Sequence, residues 1–186
     1  MSEIRGLMIN SRIDYLESLP DSTVYQKVMQ RLPESVRQNI GEQIFLTNLY
    51  PFQVLKELDA VIAEVLDSSI ESLFRNIGKR SATRAVDQYF FNYMQSRNPH
   101  GFLSQITRLY PYLCNFGEYF CQKSDQTSAR IRLSYNEDIH KPYCWFVQSF
   151  LQNGIEICGG KKVVLQEVEC EADAGESCRY EVQWEI

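Results

Sequence analysis

Four side chains near the end of the sequence, Cys144, Glu167, Cys170 and Cys178, are of the kinds that hold a metal ion. Thiolates with one carboxylate suit tetrahedral zinc, and four protein donors leave no open position for water, so such a centre would be structural and not hydrolytic. Cys170 and Cys178 flank the polar turn Glu171–Ser177. If the segments on either side of that turn pair as a hairpin, the two thiols approach each other, and Cys144, opening the preceding helix, can be packed above them. Glu167 and Cys170 lie three apart and would face opposite sides of a regular strand, so the carboxylate joins the thiols only through a bulge or break at Val168–Glu169. The competing reading is of cysteines as small buried apolar groups, because the spacing has none of the paired C-x-x-C knuckles.

The remaining inventory argues against catalysis. The two histidines are His100, behind Pro99, and His140, in the polar loop 136–142, and neither stands near a nucleophile in a recognisable elbow. Gly154, Gly159 and Gly160 followed by Lys161 and Lys162 superficially match a phosphate loop. The lysine falls one place late and no Ser or Thr follows to bind magnesium, so these glycines read as a helix stop. Glu169 and Glu171 read as a solvated strand edge, and Arg75, Lys79, Arg80 and Arg84 as a solvated helix face. The sequence is read as non-enzymatic.

The elements that must position these residues divide in two. Apolar residues recur at three and four places through Val54, Leu55, Leu58, Val61, Ile62, Val65 and Leu66, and again from Ile70 to Tyr93, as two helices require. Shorter helices are expected at about 9–19, 22–32, 34–40 and after Pro99, with the segment 43–50 open. After Pro111 the period becomes two: Ala129, Ile131, Leu133 and Tyr135 alternate with polar residues, as do Cys178, Tyr180, Val182 and Trp184. Residues 116–122 and 162–170 supply two more strands, and 143–158 a helix between the strand pairs. The expected architecture is an α+β fold in which an N-terminal helical layer packs on a C-terminal four-stranded antiparallel sheet with a crossing helix. One ligand-binding domain spans 1–186, with 1–114 mainly helical and 115–186 holding the sheet.

With 186 residues, 44% of them hydrophobic and 12% aromatic, the chain can fill a core. A net charge of −5 excludes nucleic acid as a natural partner. No signal-like start and no run of apolar residues long enough to span a bilayer occur, so no transmembrane segment and a cytoplasmic location are expected, with the cysteines reduced. A pocket between helices and sheet would be lined by the stripe Gly78, Ala82, Ala85 and Tyr89, whose small members leave volume, and by Phe90, Tyr93, Phe102, Ile106, Tyr110 and Trp145. Close helix packing and plain aromatic core are the competing readings of the same residues.

The stretch from Cys144 to Val182 resembles the vinyl-4-reductase type of small-molecule-binding domain, above all the sensor domains of phenol- and xylene-responsive activators. The shared features are the Cys144–Trp145 start, a glycine near the helix end, the strand Glu167-Val-Glu-Cys170 and a second cysteine at 178. The resemblance implies zinc on Cys144, Glu167, Cys170 and Cys178. The order of elements is also similar to the haem-NO-binding-like superfamily. That similarity implies a haem-based gas sensor as one alternative, but Gln126 stands where the Tyr-x-Ser-x-Arg clamp, here with Ser128 and Arg130, needs tyrosine. His100 is the axial candidate. The reading taken is a carrier or sensor of a small apolar ligand, fatty-acid-like or aromatic, with structural zinc and without haem. Homodimerisation through the N-terminal helices and a downstream protein partner go with it. The other alternative is a scaffold whose pocket is filled.

Overall fold

The computed structural model describes residues 1–41, 43–89 and 91–186, apart from the side chains of Tyr89 and Tyr93. Two compact units make up the described chain, residues 1–73 with 112–115 and residues 74–111 with 116–186.

The first unit begins with strand β1 (Glu3–Arg5), which pairs antiparallel with β2 (Leu49–Pro51) in the segment 43–50 that the periodicity leaves open. Helices α1 (Gly6–Glu17), α2 (Thr23–Arg31), α3 (Glu34–Ile40) and α4 (Phe52–Leu66) bury the residues that the helical spacing selects, such as Ile9, Ile13 and Leu16 on α1 and Leu55, Leu58 and Ile62 on α4. Pro51 precedes the first turn of α4 with φ −54, a torsion already suited to helix entry. Asp67 ends α4 in the left-handed region, and Ser69 caps the helix that follows, its carbonyl accepting from Leu73 N and its Oγ from Ser72 N.

The second unit contains most of α5 (Ile70–Tyr89), then α6 (Phe91–Gln95), α7 (Pro99–Leu113) as far as Pro111, and the sheet. Strands β3 (Glu118–Lys123), β4 (Ser128–Ser134), β5 (Lys161–Glu169) and β6 (Cys178–Glu185) lie in the order β3-β4-β6-β5, each pair antiparallel. Helix α8 (Lys141–Ile157) crosses between the strand pairs. The period-two pattern sets the faces: Cys178, Tyr180, Val182 and Trp184 are buried, while Arg179, Glu181, Gln183 and Glu185 are exposed. This is the α+β architecture expected, with most of α5, α6 and α7 as far as Pro111 in the unit that holds the sheet. No helix among the described residues is long and apolar enough to cross a membrane.

Candidate functional site

The hairpin of β5 and β6 puts Cys170 and Cys178 at its loop end, and Cys144 stands in the first turn of α8. Their sulfurs converge: Cys144 Sγ lies 3.8 Å and Cys170 Sγ 4.0 Å from Cys178 Sγ, and all three residues are buried. The β5–β6 register shifts between Glu167 and Glu169, the irregularity that brings a residue three places from Cys170 onto its side. Glu167, Cys170 and Asp173 accordingly offer ligand atoms within 4.8 Å of one another.

Glu167 is nevertheless engaged elsewhere than on the sulfurs. Lys141 Nζ reaches its Oε2 at 3.1 Å and also donates to Asp173, while Gln148 Nε2 donates to Glu167 Oε1 at 2.7 Å. The Gln148 carbonyl oxygen accepts from Arg75 at 2.8 Å, and Ser149 Oγ donates to the Arg75 carbonyl at 2.6 Å. A continuous polar chain thus runs from α5 through α8 to the hairpin. Lys141, Gln148, Ser149 and Asp173 are absent from the site as read in the sequence. One signal was available: Gln148 occupies the apolar stripe Cys144, Gln148, Leu151, Ile155, and a buried amide there demands partners.

Each group's proton affinity follows from this wiring. The Cys144 thiol donates to Cys178 and the Glu171 N–H points at the same sulfur at 3.3 Å, lowering Cys178 to about 7 against the opposing effect of burial. The same bond, with burial, pushes Cys144 far up. Cys170 is raised by burial and by the neighbouring Cys178 charge. Burial lowers Lys141, but its bonds to Asp173 and Glu167 outweigh this and raise it. Ionisation is therefore favoured at Cys178 over Cys144 and Cys170, with Lys141, Glu167 and Asp173 beside the three sulfurs.

The residues read as a pocket wall are distributed over two helix crossings. A Cβ on Gly78 would stand 2.3 Å from the Phe146 carbonyl oxygen, so at that position the missing side chain serves contact between α5 and α8 and leaves no volume. Phe102 is buried and its ring lies on Gly154, where a Cβ would come within 2.0 Å. Ala82, Ile106 and Tyr110 are buried, Ala85 and Trp145 half-buried, and Tyr110 stacks at 6.1 Å on Tyr119 of β3. Phe90 and the side chains of Tyr89 and Tyr93 lie outside the described residues.

The family model described as "Protein of unknown function (DUF2378)" matches residues 11–185. The chain belongs to that family. No curated protein matches it. Among solved structures, this member of the family is similar over its whole length to H-NOX proteins. An H-NOX structure from work on haem distortion shares 14% identity, covering 98% of this chain and 96% of that one at a TM-score of 0.74. An oxygen-binding H-NOX domain related to soluble guanylate cyclases gives 14% identity with the same coverages and a TM-score of 0.71. The Fe(II) unliganded H-NOX protein from K. algicida gives 13% identity, 98% and 97% coverage and a TM-score of 0.68. At these identities the likeness establishes the haem-NO-binding type of fold.

These likenesses correct the expectation of zinc as the cofactor with haem set aside: the solved proteins of this fold are described by their haem and its iron. Two side chains test whether a porphyrin suits this chain. His100, in the first turn of α7, has Nε2 at 2.9 Å from the Asp125 carbonyl and 3.1 Å from that of Gln126, with its ring centroid 4.8 Å from that of Trp184 in an edge-on arrangement. Arg130 is exposed and pairs with Glu181 at 3.4 Å. As placed, neither the axial candidate nor the clamp arginine fits a haem, and the geometry supplies no step through one.

Proposed function

We propose that this family member is a non-enzymatic small-molecule sensing domain, with haem and a gas as the ligand class to test first on the likeness of fold, although His100 and Arg130 as placed do not hold a porphyrin. What carries the reading is the likeness of fold over nearly the whole chain, 98%, to an H-NOX structure at a TM-score of 0.74. The named features of those proteins, haem iron and bound oxygen, come to this chain by that analogy of fold. The resemblance of Cys144–Val182 to phenol- and xylene-activator sensor domains belongs to the same reading, since both are sensing modules. Output then passes to a protein partner, and pairing of two copies is part of the proposal.

Haem ligation by His100 requires its ring to leave the carbonyls of Asp125 and Gln126 and the Trp184 edge. The direct test is titration of the purified chain with hemin, followed by reduction and exposure to carbon monoxide or nitric oxide. Stoichiometric growth of a sharp Soret band that shifts with the gas supports the reading, and loss of that shift in His100→Ala assigns the ligand. A spectrum that stays that of free hemin overturns the haem reading and leaves an apolar ligand without iron, for which a thermal-shift panel of fatty acids and phenols is the assay.

A further inference from the structure

The sulfurs of Cys144, Cys170 and Cys178 carry a chemistry that ligand sensing does not use. Cys178 touches both other sulfurs, and the three lie within 4.8 Å, enclosed by α8 and the end of the hairpin. We propose that Cys178 and Cys144 form an oxidation site for small hydroperoxides, which close an intramolecular disulfide between the first turn of α8 and the start of β6. This stands apart from the haem reading, because it uses only groups of the protein and an external peroxide.

With hydrogen peroxide the Cys178 sulfur attacks one peroxide oxygen: an S–O bond forms, the O–O bond breaks, and the departing oxygen takes a proton and leaves as water. The Cys144 sulfur then attacks the sulfenic sulfur; an S–S bond forms, the S–O bond breaks, and the hydroxyl leaves with the Cys144 proton as a second water. Two thiols have lost two electrons and two protons, and one peroxide has gained them. The geometry favours this outcome over further oxidation. The resolving sulfur is already at 3.8 Å, so the intramolecular attack on the sulfenic acid competes with a bimolecular encounter with a second peroxide.

The bridge has a mechanical consequence. Cys144 shares the first turns of α8 with Lys141 and Gln148, which hold Glu167 on β5 and Arg75 on α5. Shortening a 3.8 Å contact to a covalent bond displaces that turn relative to β6, and so bears on the polar chain reaching α5.

The test uses the full chain, freed of haem and kept in a chelator so that no metal holds the thiols. After brief exposure to a small excess of hydrogen peroxide, remaining thiols are alkylated and the intact mass and peptides are read. The expected result is loss of two of the six alkylatable thiols, restored by dithiothreitol, with a crosslinked peptide joining Cys144 and Cys178. Cys178→Ala should retain every remaining thiol under the same exposure. Six thiols still alkylated, added oxygen without a crosslink, or a bridge between any other pair overturns the proposal. The crosslink map of the unsubstituted protein decides the matter even if Cys178→Ala does not fold.

Discussion

The two units each set charged groups against their packed interior, fully buried in the first and half-buried to exposed in the second, by opposite designs. In the first, Arg12 and Asp59 are both fully buried and meet through two bonds, Nε to Oδ1 at 3.0 Å and Nη2 to Oδ2 at 3.1 Å. Donor fork and acceptor pair match, and Arg12 Nη1 also reaches Ser11 Oγ and the Met8 carbonyl, so the pair is closed by geometry. In the second, three contacting thiols, either of two able to donate across the Cys144–Cys178 contact, share protons beside the Lys141 bridge to Glu167 and Asp173. A closed pair specifies packing; a shared cluster responds to chemistry. Breaking the closed pair should give the largest effect. Asp59→Ala strands a buried guanidinium and should cost about 3–5 kcal/mol in urea unfolding, whereas the double change Arg12→Met with Asp59→Leu should recover most of it. A small loss in the single variant would show that the pair is not closed.

Next in size is a change that tests packing around α8. Gly78→Ala forces a methyl to within 2.3 Å of a backbone oxygen, which cannot swing aside as a side-chain tip would, and should lower stability by about 1–3 kcal/mol. The counterpart in the first unit is Gly41, where no atom lies within 4 Å of a built Cβ and only its φ of +64 opposes a side chain; Gly41→Ala should cost about 1 kcal/mol. Thermal unfolding of the two variants side by side checks the ranking. Comparable losses would mean that α5 and α8 can separate without penalty.

Most of the fold was legible because it rests on periodicity. The strand alternation from Ala129 and from Cys178, and the helical stripes of α4 and α5, follow from which faces must be dry. The convergence of Cys144, Cys170 and Cys178 was also legible, since hairpin geometry places the ends of a loop together, and so was the need for a bulge beside Glu167. The role of Glu167 was not. Whether a carboxylate turns to a thiol or to Lys141 and Gln148 depends on the rotation of α8 over β5, and spacing along the chain carries no information about that angle. Gly78 failed for a related reason: a small residue signals either a void or a close approach, and only the neighbouring backbone decides.

Gln148 joins these two failures and gives the third prediction. It is buried at 3% exposure and satisfies Glu167 and Arg75 at once. Gln148→Leu keeps the volume and removes both bonds, leaving half-buried charged groups short of a partner, for a loss of roughly 1–2 kcal/mol. Gln148→Glu should do worse at neutral pH, by placing a second carboxylate against Glu167, and should improve as pH falls. An unchanged midpoint in both would remove the polar chain from the account.

The smallest effect, and the one that isolates the thiols, is in the pH dependence of stability. Cys178 is lowered in the folded protein from 9.0 to about 7. Its contribution is thus fully present above the unfolded thiol value and is lost as pH falls through about 7. Cys144 and Cys170 are raised, so they act in the other sense: above the ordinary thiol value the unfolded chain ionises them while the folded one does not, and stability falls again. Lys141, Glu167 and the Tyr180 hydroxyl face the same sulfurs, and raised Lys141 keeps its charge throughout the window. The expected curve has its crest between these limits. Cys178→Ser should flatten the acid limb by an amount of order 1 kcal/mol. If the acid limb persists in Cys178→Ser, the titrating group is a carboxylate or histidine elsewhere and the shared-proton description of the second unit fails, whereas the closed pair of the first is untouched.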